Sequence, residues 1–171
     1  MKRLFFALWP DEATRQRLLQ LSATLQLPGA KRIRPENLHV TLAFLGNVDE
    51  QLLPALEEQV EGIPVPGFSL LFDQLDYWRR PGIVCLTCSK PVPQVLQLAQ
   101  GLSEICSGLG ITLDGREFRA HVTLARHVRG KPEVRLEPLP WPADDFVLVE
   151  SQTWPEGVQY TVLRRYPFCQ S

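Results

Sequence analysis

The chain has 171 residues, 44% of them hydrophobic and 22% charged, with a net charge of −1. This composition suits one soluble domain and excludes disorder, collagen and coiled coil. No apolar run reaches the roughly 18 residues that a membrane helix needs, and the near-neutral charge excludes a binder of long nucleic acid, leaving only local contact with an end or a single phosphate.

Lys2–Trp9 is a short apolar run and a predicted strand. With Met1, Lys2 and Arg3 before it, the run resembles a secretory leader. Its six apolar residues stop at Pro10-Asp11-Glu12, too short for the apolar stretch of such a leader. Asp11–Gln26 opens on a capping residue and carries Leu18, Leu19 and Leu25 among polar residues, which predicts a helix closed by Pro28-Gly29. Leu38–Gly46 is the next strand. Asp49–Glu61 is a helix despite Pro54, which lies near its first turn, where proline costs least. Ile63–Gly67 is loop. Phe68–Leu75 and Ile83–Cys88 are strands joined around Arg79-Arg80-Pro81-Gly82, and Pro93–Leu109 is a helix. Phe118–Arg126 is a strand, Glu137–Ala143 is proline-rich and irregular, and Phe146–Gln152 and Gln159–Arg165 are the last strands. Strands and helices mix without a dinucleotide-binding or P-loop glycine pattern, and no linker divides the chain. An α+β sheet protein forming one domain over 1–171 is expected.

The four cysteines are Cys85, Cys88, Cys106 and Cys169. Cys85 and Cys88 match C-x-x-C, but residues three apart on a strand face opposite ways, so the thiols diverge and serve as small hydrophobes. No second pair completes a zinc site. With no leader, a reducing cytoplasm is the expected location.

The chain holds only three histidines, His39, His121 and His127. Two of them open identical pentapeptides, His39-Val40-Thr41-Leu42-Ala43 and His121-Val122-Thr123-Leu124-Ala125, 82 residues apart. An exact repeat of this length in so short a chain points to repeated architecture, with one His-x-Thr strand in each half. On a strand, His39 and Thr41 share one face, as do His121 and Thr123. Val40, Leu42, Val122 and Leu124 point into an apolar layer. If a twofold relates the halves, two imidazoles and two hydroxyls converge on one cleft. Imidazole titrates near neutrality, so a pair flanking one phosphorus supplies an acid and a base, and the hydroxyls hold its free oxygens. A lone His-x-Thr strand is ordinarily just a satisfied histidine at a strand end. The repetition of a scarce residue is what points to a paired site. No acidic residue or cysteine recurs at a fixed offset beside either copy, so no metal is expected there.

Arg126 closes the second copy. Strict alternation turns it away from His121, and it reaches a phosphate only if the strand ends or bulges. Between Ile111 and Arg135 there are six basic and three acidic residues, the most basic stretch around either copy. His127 has no counterpart in the first copy and is taken as a surface or supporting residue. Tyr77 and Trp78 are candidates either for stacking on a base or for an ordinary hairpin role.

Paired His-x-Thr motifs in a chain of this length resemble the 2H phosphoesterase superfamily, and within it the RNA 2′,3′-cyclic phosphodiesterase family, also called 2′-5′ RNA ligases. The resemblance runs from Arg3-Leu4-Phe5-Phe6-Ala7 through Asn37–Gly46 and Phe118–Arg126 to Tyr160-Thr161-Val162-Leu163. Ala120 departs from a proline frequent before the second histidine. The resemblance implies a bilobal α+β fold, with two pseudo-twofold lobes of antiparallel sheet and helix around a central cleft. It implies a metal-independent, cofactor-free monomer that hydrolyses RNA 2′,3′-cyclic phosphate ends to 2′-phosphates. His39 would be the proton donor and His121 the proton acceptor, an order the residues alone leave open. Thr41, Thr123 and Arg126 would bind the phosphate. Reversible, ATP-independent 2′-5′ ligation is also implied. Two other readings are a non-catalytic binder of RNA ends or nucleotides and a phosphodiesterase for a small cyclic nucleotide.

Overall fold

The computed structural model describes residues 1–169. Its elements in chain order are β1 (Lys2–Leu8), α1 (Glu12–Thr24), β2 (Lys31–Arg32), β3 (Val40–Val48), α2 (Leu53–Glu61), β4 (Phe68–Phe72), β5 (Gln74–Trp78), β6 (Ile83–Thr87), α3 (Pro93–Gly108), β7 (His121–Arg126), β8 (Leu139–Ala143), β9 (Asp145–Trp154) and β10 (Gly157–Pro167). They form two four-stranded sheets, ordered β10-β9-β1-β3 and β2-β7-β6-β5, and a two-stranded ribbon of β4 and β8. All the paired strands are antiparallel.

The repeated pentapeptide occupies the same place in a repeated unit. β1, α1 and β3 form one strand–helix–strand unit whose two strands pair, with Leu8 opposite Val40. β6, α3 and β7 form the other, with Thr87 opposite His121. Each unit builds one lobe of a bilobal α+β fold. The lobes interleave in sequence: β2 crosses to the second sheet, and β9 and β10 return to the first.

Local signals explain most boundaries. The Asp11 carboxylate caps α1 by accepting from the Thr14 N–H at 2.7 Å, and its hydrogen bonds to Thr14, the side chain first and then the backbone, lower its pKa. At the other end, Arg32 on β2 donates to the carbonyls of Ser22 and Leu25 and ties the end of the helix to β2. Pro54 sits in the first turn of α2 and Pro93 begins α3.

Three expectations need correction. The strand Phe68–Leu75 is two strands. Asp73 breaks it by accepting from the Ser89 N–H at 2.8 Å, so β4 joins the ribbon and β5 the second sheet. The segment Glu137–Ala143 is not wholly irregular. Leu139, Trp141 and Ala143 face inward while Pro140 and Pro142 face solvent, so the prolines lack only N–H groups that a ribbon edge does not use. Third, β2 was not foreseen; two charged residues carry no strand pattern, and only pairing with Arg126 and Ala125 holds them extended.

One buried cluster runs through both lobes, including Leu4, Phe6 and Leu8 of β1, Val84 and Leu86 of β6, and Leu98 and Leu102 of α3. Val40, Leu42, Val122 and Leu124 all lie in it, 0–4% exposed. Each such side chain contributes about 1.5–3 kcal/mol on burial. That apolar backing holds the opposite faces of the two motif strands toward one another.

Candidate active site

β3 and β7 adjoin, and the residues between and around them line a cavity of about 610 Å³. His39, Thr41, His121, Thr123 and Arg126 all line it. Arg3, Lys31, Arg32 and Arg34 add four further cations, and no acidic side chain lies in the lining among the described residues. His39 sits just ahead of β3 and not within it.

The two imidazoles are held in the same way. The His39 Nδ1–H donates to the Asn37 carbonyl at 2.7 Å, and the His121 Nδ1–H donates to the Arg119 carbonyl at 2.8 Å. A carbonyl only accepts, so each neutral ring carries its proton on Nδ1 and leaves Nε2 with a free lone pair. In His39 that atom lies 2.9 Å from the Thr41 hydroxyl, which donates to it when the ring is neutral.

The surroundings of the rings differ. His39 stacks on Trp9 at 5.7 Å and packs against Phe5 at 5.0 Å and Tyr160 at 5.3 Å. Phe5 belongs to a second buried cluster with Ala7, Val147 and Val149, against which Trp9 and Tyr160 pack, on the other face of the first sheet. Burial pulls the His39 pKa down to about 4, helped by the charges of His121 and Arg126 and opposed by the Asn37 carbonyl. His121 packs against Trp78 at 4.6 Å. Its pKa is lowered too, by burial first and then by the charges of Arg119 and Arg126, with the Arg119 carbonyl opposing. Burial therefore favours the neutral form of both rings near neutral pH.

Arg126 reaches the cavity because β7 bulges. Cys85 pairs with Thr123 and Val84 with Ala125, so Leu124 is an extra residue and the side-chain alternation flips after it. The first copy bulges at the same place: Ala7 pairs with Thr41 and Phe6 with Ala43, leaving Leu42 extra. The residue equivalent to Arg126 is therefore Phe44. It lines the cavity, is 43% exposed, and lies 4.8 Å beneath the Arg3 guanidinium. Sequence reasoning missed Phe44, although the offset of five residues from each histidine was there to be used.

Other expected residues fall as follows. His127 is exposed but also lines the cavity, in left-handed backbone at φ 58°, where the chain leaves β7. Trp78 backs His121 and is not in the lining, and the Tyr77 hydroxyl donates to the Val128 carbonyl at 3.2 Å. Both serve the scaffold. The four cysteines are free. Burial pushes the thiols of Cys85 up to about 12 and of Cys88 and Cys106 up to about 11, as expected of small hydrophobes. Among the described residues no three His, Cys, Asp or Glu side chains are grouped to hold a metal ion, and no helix is long and apolar enough to cross a membrane.

Comparison with known proteins agrees with the repeat. The LigT-like phosphoesterase family model matches twice, over residues 8–85 and 86–160, each match spanning one His-x-Thr copy. The chain is 31% identical to the RNA 2′,3′-cyclic phosphodiesterase of Archaeoglobus fulgidus, over 95% of this chain and 98% of that one. It is also 31% identical to the Escherichia coli protein of the same name, over 99% and 98%. The crystal structure of E. coli LigT with 3′-AMP superposes with a TM-score of 0.90 at 30% identity, covering 99% of each chain.

Proposed function

Because the chain belongs to the LigT-like phosphoesterase family, we propose that it hydrolyses RNA 2′,3′-cyclic phosphate ends to 2′-phosphate ends, and that His39 and His121 are its acid and base. The observation that carries this reading is the convergence of both His-x-Thr copies and Arg126 on one cation-lined cavity.

In this scheme the cyclic phosphate lies between the two Nε2 atoms. Water attacks phosphorus, and His121 Nε2 takes its proton. The bond to the 3′ oxygen breaks, and His39 Nε2–H protonates that oxygen as it leaves. Arg126 and the hydroxyls of Thr41 and Thr123 hold the non-bridging oxygens, whose charge grows in the transition state. The order of acid and base is the one the family resemblance implies; burial lowers the pKa of both rings and does not choose between them. Each turn of the cycle leaves His121 with a proton to lose and His39 with one to regain, both by exchange with solvent. The two rings supply both proton transfers, so the scheme uses no metal or cofactor.

Phe44 offers an aromatic face to the terminal base, with the Arg3 guanidinium beside it. An RNA 5′-hydroxyl in place of water makes a 2′-5′ linkage by the same steps and without ATP. The buried contact between lobes supports a single domain over 1–171. The free thiols fit a reducing cytoplasm. The scattered exposed hydrophobics, including Leu71, Leu96 and Leu163, suit a monomer.

The test is an oligonucleotide ending in 2′,3′-cyclic phosphate, incubated with the protein in EDTA, with the product end identified. A 2′-phosphate is expected. Loss of turnover in EDTA would refute metal independence, and a 3′-phosphate would refute the leaving group. Tight binding without turnover would make the protein a sensor of RNA ends. Faster turnover of a mononucleotide cyclic phosphate than of RNA would reassign the substrate.

A further inference from the structure

The carbonyl that orients His121 belongs to Arg119, and the Arg119 side chain is itself tied down. Its Nη2 donates to Asp76 Oδ2 on β5 at 3.1 Å, and its guanidinium lies 5.6 Å over the ring of Trp78. The same Asp76 oxygen accepts from the Thr87 hydroxyl at 2.7 Å. Thr87 is fully buried on β6 and stands directly opposite His121 in the sheet. Trp78, two residues beyond Asp76 on β5, packs on His121 itself. Three strands therefore meet at one imidazole through a single carboxylate.

The first copy is built otherwise. There the carbonyl that orients His39 belongs to Asn37, whose side-chain amide donates to the Val158 carbonyl on β10 at 3.2 Å. Each histidine takes its orientation from the residue two before it, and each such residue is anchored to a neighbouring strand. One anchor is neutral and the other is an ion pair.

We propose that Asp76 and Arg119 are positioning residues for His121, and that their charges set the proton affinity of that ring as well as its orientation. Arg119 is a cation close to His121 and disfavours its protonation; Asp76 offsets that cation. The other groups around the ring are accounted for. Arg126 lies on the same strand, Lys31 on β2 pairs with Arg126 across the ladder, and His39 faces it from the other lobe. Cys85, opposite Thr123, stays a neutral thiol, and Thr87 and Trp78 do not titrate near neutrality. Among these groups Asp76 is the one carboxylate, and it touches Arg119 and Thr87, through which it reaches this histidine. Tuning of this kind matters to a general base, whose efficiency depends on its pKa.

The inference rests on the reading of His121 as a general base, yet its test reads the ring directly. The His121 imidazole is titrated by NMR in the substrate-free protein for wild type, Asp76→Asn, Arg119→Gln and the double variant. Asn keeps an acceptor for Thr87, and the pair is partly exposed at 59% and 26%, so it adds little to stability and the variants fold. Asp76→Asn leaves Arg119 unopposed and should lower the His121 pKa by about half a unit. Arg119→Gln should raise it by about the same. The double variant should return near wild type. In the RNA assay, the limb of the kcat/KM profile that belongs to His121 should move with the titration. Shifts of the same sign in both single variants, or no shift in either with unchanged Tm, would overturn the proposal. If the protein turned over no cyclic phosphate, the NMR arm would still decide this question separately.

Discussion

His39 is a histidine that folding keeps neutral, and this has a price in acid. In the unfolded chain it titrates at the ordinary 6.5, and in the folded protein at about 4. The folded value is depressed, so protonation favours the unfolded state. The stability that this site contributes is complete above 6.5 and is lost as pH falls toward 4. At pH 5 the unfolded chain carries almost one proton here and the folded protein roughly a tenth of one. Integrated from pH 7 to pH 5, the difference is about 2 kcal/mol. His121 has the same sign, so wild type alone does not isolate the effect, but a comparison with His39→Gln does. Urea unfolding of both proteins at pH 7 and pH 5 should show wild type losing about 2 kcal/mol more than the variant. Saturating 2′-AMP at pH 5 should recover part of that loss in wild type, because its phosphate favours the charged ring. Equal losses in the two proteins would refute the reasoning, since His39 would then be open to water and its aromatic cage without electrostatic effect.

Other substitutions probe separate parts of the account. Arg126→Ala should lower kcat/KM on RNA cyclic phosphate by about 100- to 1,000-fold, the range for loss of one transition-state donor, with Tm unchanged. Phe44→Ala should raise KM for an oligonucleotide roughly tenfold and leave Tm near wild type, because the ring is exposed and stacking on one base is worth about 1–3 kcal/mol. Gly82→Ala should cost about 1–2 kcal/mol in a denaturant titration. Its φ is +86°, and an added Cβ would lie 3.3 Å from the Val128 carbonyl. Phe6→Ala, in the buried cluster, should cost about 3–5 kcal/mol and show the common core to be one cooperative unit.

The parts of this molecule that were legible in the sequence are those that periodicity and repetition record. The apolar residues between the histidines and threonines predicted a backed strand, and Val40, Leu42, Val122 and Leu124 are buried as that pattern requires. The capping carboxylate of Asp11 marked the start of α1 and Pro93 that of α3, whereas the helix expected from Asp49 opens as a short 3-10 turn, Glu50–Leu52, and α2 begins only at Leu53. What was illegible depends on partners far along the chain. A bulge shows only in the pairing of β7 with β6, so neither the aim of Arg126 nor the equivalence of Phe44 followed from alternation alone. β8 was hidden because its two prolines are harmless only on an exposed ribbon face. The difference between the two histidines was equally hidden. The pentapeptides are identical, and the aromatic cage of His39 is assembled from Phe5, Trp9 and Tyr160, the last 121 positions away.

The central claim is that two histidines, one from each lobe, divide the proton transfers of a single displacement at phosphorus. The most direct measurement is the single-turnover rate of His39→Ala and of His121→Ala on an RNA 2′,3′-cyclic phosphate, with substrate binding measured in parallel. Each variant should bind the RNA and lose at least about 100-fold in rate. A variant that turns over within a few-fold of wild type would contradict the paired mechanism.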